Sequence, residues 1–490
     1  MSRRPLRLVA GLLLALTACA GGSGGSGGND ADRGATGATG TTGTAAPGAT
    51  GPTADPTGPG SSLPRATVAA CPTIPARAQP RPDRPRYVLH ADVQPTTGVV
   101  RGDVRVAFTP DLPVTEIVFR LWPNGPRPAG GGTHLDPGPV TVDGLPAPST
   151  RADDTTLVVD PGRTIEPGTT VDVALPWTLV VPGPANDRLS RDGDAMRLGS
   201  FFPILPWEPG VGWAREAAVG DFAEASTAPT ADFDLTVTVP AGYDVLASGQ
   251  PDPANPNHFV ATAMRDVAVS IGLFTDRATA VAHAPDPVQV TVGLHFGVPG
   301  DAHAFLDQAV AVVETFGQRY GPYPWTTLTL AVTPDLGGGI EYPGHIMLGP
   351  LTEGDITTHE VGHMWFYGLV GNDQGRDPWL DEGLATFVEA RYAQELAAYT
   401  ELPIPRSAQG RVGEPMSFWT LRPADYQDGV YTQGAQALIA LGPPDLVDCA
   451  LRVYVALNAY RIARPADLVA AASAVFPDAA RKLAIFGIEP

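Results

Sequence analysis

His359-Glu360-Val361-Gly362-His363, followed by Glu382, restricts how two segments of this chain can fold. Histidines four positions apart share one face only if the segment is helical. There they can grip a single zinc ion, and a carboxylate from a later element can complete a three-residue protein shell. Glu382 lies within Trp379-Leu380-Asp381-Glu382-Gly383, and Asp377 and Pro378 before it suit the N-cap and first position of a new helix. The pattern therefore asks for two helices, the second folding back to bring Glu382 to the histidines. Three protein ligands leave the fourth position open, which marks a catalytic zinc site rather than a structural one. Glu360 is not a ligand in this pattern; it stands beside the ion, where it can take a proton from water. The competing reading is a helix that carries two surface histidines by chance, and the sequence around Glu382 argues against it.

The rest of the chain divides by its periodicity. From about residue 71 to 276, short apolar–polar alternations such as Val104–Phe108 and Phe233–Val239 are broken by Gly and Pro. Period two with turn punctuation predicts strands in a sandwich-like or saddle-shaped sheet. From about residue 277 the pattern mixes strands at Val288–Val292 and Leu328–Val332 with a helix over His303–Tyr320, whose Phe305, Ala309, Val312, Val313 and Phe316 keep helical spacing. The second strand leads into a predicted turn at Gly338-Gly339. The expected fold is α+β and multidomain: a β-rich N-terminal domain over 71–276, then a thermolysin-like catalytic domain over 277–490.

Further blocks point to a family. His359-Glu360-Val361-Gly362-His363-Met364-Trp365-Phe366 and the run from Pro378 to Phe387 stand beside Gly338-Gly339-Ile340-Glu341-Tyr342, with weaker echoes at Arg265–Ala268, Tyr320–Trp325 and Tyr431–Ala435. Together they resemble the aminopeptidase N-type gluzincins, the family that also holds leukotriene hydrolase. The resemblance implies one zinc per chain on His359, His363 and Glu382, with Glu360 as general base. It implies that Gly338 and Gly339 let the backbone approach the substrate, and that Glu341 holds the substrate's free α-ammonium, measuring one residue from the N-terminus. Tyr342 replaces the family's Asn, which bears on the shape of the first subsite. Tyr431 is the implied donor to the tetrahedral oxyanion, with Tyr426 as its rival and Gln433 where the family has Lys. His345 and His303 lack ligand spacing and read as packing or surface residues. The stretch after Tyr431 is short for the large helical third domain of many family members.

The front of the chain reads as targeting. Arg3, Arg4 and Arg7 precede an apolar run, Leu8–Leu16, too short to span a membrane. Leu16-Thr17-Ala18-Cys19 has the form of a bacterial lipobox, so residues 1–18 are expected to be a signal peptide and Cys19 the lipidated terminus; an ordinary signal peptide is the alternative. Residues 19–70 are rich in Gly, Ser, Thr and Pro and nearly empty of large apolar residues, the composition of a tether that cannot bury a core. Glycines recur every third residue from Gly34 to Gly43, but Ala46 breaks the collagen pattern. Cys71 and Cys449 then remain, and in an oxidising compartment they are expected to pair, unpaired thiols being the alternative.

The formal net charge is -20, and Lys482 is the only lysine. No basic patch is visible, which speaks against nucleic-acid binding. The combined expectation is a monomeric, extracytoplasmic zinc aminopeptidase, lipid-anchored to the bacterial cell membrane and acting on peptides with a free N-terminus. A zinc endopeptidase on the same site is the nearest alternative, and a tethered binding protein with a relict site the more distant one.

Overall fold

The computed structural model describes residues 64–220 and 227–489. The expected signal peptide, Cys19 and most of the tether lie outside those residues. Among the described residues, no helix is long and apolar enough to cross a membrane.

An extended arm opens the described chain. The N–H groups of Ala66, Ala70 and Ala78 donate to the carbonyls of Ser473, Val475 and Ala456, and Arg77 donates to Pro322 O at 2.8 Å. A disulfide joins Cys71 to Cys449 on the Pro444–Asn458 helix, with the Cα atoms 5.8 Å apart. Residues 64–70, which composition alone assigned to the tether, thus belong to the folded body. Their small side chains build no core, but their backbone donors find partners on the helices.

The arm leads into a nine-stranded mixed sheet. In its Arg86–Gln94 strand, Tyr87, Leu89, Ala91 and Val93 turn inward while the alternate residues face out, as period two requires. That strand pairs antiparallel with Val99–Phe108 and parallel with Ala231–Thr238, Arg86 standing opposite Asp232. A four-stranded sheet of Leu189–Asp192, Ala195–Leu198, Val269–Gly272 and Asp244–Ala247 turns the chain toward its second half. It contributes Ser270, whose hydroxyl lies 2.9 Å from His345 Nε2. His345 is buried, and burial pushes its pKa down to about 3, so it is a neutral packing residue. His303 is exposed.

The second half begins with the Phe274–His283 strand of a five-stranded sheet. Two parallel strands, Pro287–His295 and Thr327–Val332, are joined across the Ala302–Tyr320 helix. Asp301 caps this helix by accepting from the N–H of His303 at 2.9 Å. Its predicted apolar stripe is fully buried, and Phe316 meets Trp365 edge-on at 5.9 Å, tying the sheet to the chain just after His363. His345–Leu348 continues the sheet, and Gly339–Tyr342 is its last strand. The turn expected at Gly338-Gly339 is therefore displaced. Gly338 O accepts from Gly349 N–H at 2.8 Å, extending the ladder, and the chain reverses instead at Gly344, where φ is 70°. Helices fill the remainder. The molecule has a sheet-rich N-terminal part and a mixed, helix-rich C-terminal part.

Candidate active site

The Asp355–Gly362 helix carries His359, and His363 caps its C-terminal end. A 3-10 turn, Pro378–Leu380, leads into the Glu382–Ala393 helix, whose first residue is Glu382. Asp377 does not cap as its residue type predicts; its carboxylate pairs with Arg376 at 3.2 Å. Glycines bring the helices together. A Cβ on Gly362 would lie 2.9 Å from Val388 Cγ2, and one on Gly434 only 2.8 Å from Gly383 Cα. The backbones of the Glu382 helix and of the helix after Tyr431 therefore touch.

The folded helices bring the three predicted ligands into one cluster. Ligand atoms of His359, His363 and Glu382 lie within 4.8 Å of one another. Glu382 Oε2 is 3.1 Å from His359 Nε2 and 3.4 Å from His363 Nε2. Both imidazoles turn their other nitrogen to a carboxylate: His359 Nδ1 is 3.0 Å from Glu389 Oε2, and His363 Nδ1 is 2.6 Å from Asp381 Oδ1. Such partners fix the tautomer that offers Nε2 to a metal.

The cluster fits a dication on two observations. Five buried carboxylates, those of Glu341, Glu360, Asp381, Glu382 and Glu389, surround two imidazoles. Glu360 Oε2 is buried without a hydrogen-bond partner among the described residues. The crowding shifts the pKa values of these groups. Burial pushes Glu360 up to about 7, opposed by the histidines and reinforced by Glu382 and Asp381. Burial lowers His359, yet its bonds to Glu382 and Glu389 outweigh this and carry it up to about 10. A bound dication reverses this logic by compensating the negative charge directly. Two neutral imidazoles and one carboxylate around an open position are the donor set of a single zinc ion.

Glu341 is buried on the edge strand beside this cluster. Its ligand oxygen, with His363 and Asp381, forms a second group within 4.8 Å. Burial pushes Glu341 up to about 8; His363 opposes the shift, and Asp381, Glu382 and Glu360 add to it. A cation set against this carboxylate would relieve the strain. Of the two glycines before it, Gly339 has the close contact, and with the protein itself. A Cβ there would come within 2.5 Å of Glu360 Oε1, whereas one on Gly338 would meet nothing within 4 Å. The edge strand therefore lies directly over Glu360.

Tyr431 sits in a π-helical turn, Gln427–Thr432. Its ring lies nearly parallel to His359, 5.9 Å away at 11°. Tyr426 is buried behind it, edge-on to Tyr431 at 5.6 Å and against Trp419 at 6.2 Å. Of the two, Tyr431 stacks against His359 of the candidate metal cluster.

Three further residues complete the site: Asp381 within the Glu382 block, and Glu389 and Gln374 outside any motif. Glu389 stands two helical turns beyond Glu382, a spacing that places both on one face. Asp381 adjoins Glu382. Gln374, in the loop between the helices, donates from Nε2 to Asp381 Oδ2 at 2.6 Å and to Glu341 Oε1 at 3.5 Å. Nothing in the sequence around Gln374 marks it.

Known proteins resemble this arrangement. Residues 305–411, which hold Glu341, both histidines and Glu382, match the peptidase family M1 domain. Aminopeptidase B of Rattus norvegicus is 27% identical over 195 residues, covering 36% of this chain and 29% of that protein. Aminopeptidase N of Oryctolagus cuniculus is 25% identical over 195 residues, covering 34% and 20%. The chain thus spans less than a third of the length of these curated relatives. The crystal structure of an M1 zinc metallopeptidase from Deinococcus radiodurans superposes with a TM-score of 0.64 at 18% identity, covering 83% of this chain and 94% of that one. The likeness in fold extends well beyond residues 305–411, the stretch that matches the peptidase family M1 domain and holds the candidate metal cluster.

Proposed function

We propose that this protein is a zinc-dependent aminopeptidase that removes single residues from the free N-termini of peptides. The observation that carries the proposal is the place of Glu341, a buried carboxylate on an edge strand, within one cluster with His363 and Asp381. An α-ammonium held there puts the first peptide bond beside His359, His363 and Glu382, and an interior bond has no cation to offer Glu341. The edge strand offers main-chain groups along which a short peptide can lie. His359, His363 and Glu382 would hold a zinc ion, which when bound would supply a Lewis acid and lower the pKa of water toward neutrality. Glu360, buried beside the ligands, would serve as the general base toward the attacking water and return the proton to the leaving amine. Tyr431 donates its phenolic hydrogen to the developing oxyanion. Relatives named aminopeptidase B and aminopeptidase N support the reading, as does a similarly folded Deinococcus M1 mutant solved with a Tyr-Ser-Ala substrate, at TM-score 0.61 and 18% identity.

The test is release of dye from aminoacyl arylamides, with N-acetylated versions as controls, by zinc-loaded and zinc-stripped protein. Zinc-dependent cleavage of the free-amine substrates alone supports the proposal. Equal cleavage of blocked peptides points to an endopeptidase, and no cleavage to a binding protein.

The proposal extends to location. The lipobox-like residues before Cys19, and the long tether after it, support lipid on Cys19 and an enzyme held outside the cell at the membrane. Mass spectrometry of the mature N-terminus tests this: a diacylglyceryl-modified Cys19 is expected, and an unmodified terminus elsewhere contradicts it.

A further inference from the structure

Glu341 stands on a strand with little apolar support of its own. The loop before that strand runs from Thr333 to Gly338, and its buried apolar residue, Leu336, packs in a small cluster with Ala268, Tyr342 and Met347, separate from the main core. Asp335 in this loop has φ of 60°, a left-handed conformation that costs a non-glycine residue energy and persists only when its surroundings hold it.

The holding groups come from the N-terminal half. Arg197, 1% exposed, donates from Nη1 to Asp335 Oδ1 at 2.6 Å, to Thr333 Oγ1 at 2.8 Å and to Pro334 O at 2.8 Å. The same guanidinium is braced from its own side: Nη2 donates to Ala185 O at 2.7 Å and Nε to Asp187 O at 3.2 Å. Asp335 Oδ2 accepts from the Ser190 hydroxyl and from Ala185 N–H. Asn186 Oδ1 accepts from Gly337 N–H at 2.8 Å. The 185–197 segment therefore grips the loop at Thr333, Pro334, Asp335 and Gly337, just before the strand that carries Glu341.

From this we infer that Arg197, through Asp335, is a positioning residue for substrate recognition: it sets the register and height of the Gly339–Tyr342 strand over the zinc ligands, and so the distance at which Glu341 holds the substrate's ammonium. The inference rests on the aminopeptidase reading for its consequence in catalysis, but not for its structural content. A planar, fully charged fork with five donors, bonded on both sides of a junction, fixes geometry in a way that a lysine cannot. The zinc ligands lie on helices that these bonds do not touch, so the metal should bind normally when the grip is lost.

The experiment uses the zinc-loaded full chain and three variants: Arg197→Met, which removes the fork; Asp335→Asn, which keeps a residue tolerant of left-handed backbone; and Asn186→Ala, an exposed position where folding is not at risk. Three quantities are measured: kcat and KM on free-amine arylamides, zinc affinity by chelator competition, and hydrogen exchange over 335–342 and over 355–363. For Arg197→Met and Asp335→Asn the expected result is a fall in kcat/KM of about tenfold or more, from a small displacement of a binding group. A fourth protein carrying both Arg197→Met and Asp335→Asn should be no worse than the poorer single variant, because the two act through one contact. Asn186→Ala should show a smaller fall. Exchange over 335–342 should rise in all three while zinc affinity and exchange over 355–363 stay at the parent's values. Should Arg197→Met fail to fold, Asp335→Asn and Asn186→Ala decide. Unchanged exchange over 335–342 in the folded variants overturns the inference, as does a loss of zinc affinity that parallels the loss of rate. If the parent itself ignores the free amine, the aminopeptidase reading fails on that result alone, and the exchange data still decide whether Arg197 places the strand.

Discussion

The zinc centre and the Glu341 strand touch, yet they are assembled differently. The three ligands and the two carboxylates that orient the histidines come from the stretch between His359 and Glu389, two helices that close on each other through Gly362. The strand of Glu341 lies at a sheet edge, and its approach is fixed by Arg197 and Asn186, far away in sequence. On the proposed reading, chemistry is built locally and recognition is held from a distance. Changes near the zinc should alter the bond-breaking step or the metal, while changes around Glu341 should alter the choice of substrate.

The largest effect expected is on the zinc side. Glu360→Gln keeps the shape but cannot accept a proton, and kcat should fall by about a hundred- to ten-thousandfold while zinc content stays at one per chain. Steady-state kinetics with metal analysis checks this; normal turnover would remove Glu360 from the chemistry. Tyr431→Phe should lower kcat by about a hundred- to a thousandfold with KM little changed, the pattern for a donor to the transition state. If the identical change at Tyr426 is the costly one, the assignment is reversed. Glu389→Gln should weaken zinc binding by about ten- to a hundredfold, read by chelator competition, without changing the preference for free amines.

Gly339→Ala tests the point where the two regions meet. The new methyl would collide with Glu360, so either the strand or the base must move, and kcat should fall by roughly tenfold or more. Gly338→Ala, which meets nothing, should be close to neutral.

A smaller effect concerns stability and pH. In zinc-stripped protein the raised carboxyl groups, Glu360 at about 7 and Glu341 at about 8, are ionised against the fold's preference as pH rises above the unfolded value near 4.5. His359, raised to about 10, holds a stabilising proton below its unfolded value of 6.5 and loses it as pH rises toward 10. Both signs agree: stripped protein loses stability with rising pH. Zinc compensates the buried negative charge, and it binds more tightly as the histidines deprotonate. The gap in Tm between loaded and stripped protein should therefore widen from about pH 5 to 9, and scanning calorimetry showing a constant or narrowing gap would break the description of the cluster.

The same contrast explains what could be read from the sequence. The His359–His363 spacing requires a helix, and Glu382 follows at the start of a second one, so the zinc centre was legible in consecutive residues. Strand periodicity was equally plain where one face is buried, as in Arg86–Gln94. Gln374 and Arg197 were not legible, because each acts across a fold contact and neither sits in a pattern. Gly339 was legible as a residue that must be small, but that a Cβ there would meet Glu360 was not. Asp377 had the residue type of a cap, but a nearby arginine claimed its carboxylate. Residues 64–70 looked like tether because a backbone that borrows its partners from Ser473 and Val475 leaves no trace in hydropathy.

Glu341 is proposed to measure a free α-ammonium beside His359, His363 and Glu382. The direct measurement is kcat/KM for a matched pair of substrates, one with a free N-terminus and one N-acetylated, in the parent and in Glu341→Gln. A charge-assisted contact of roughly 1.5–3 kcal/mol should vanish in the variant. Its rate on the free-amine substrate should accordingly fall by about ten- to a hundredfold or more, while the already slow rate on the acetylated one barely moves. A parent that cleaves both substrates equally fast, or a variant that keeps the full preference for the free amine, would contradict the claim.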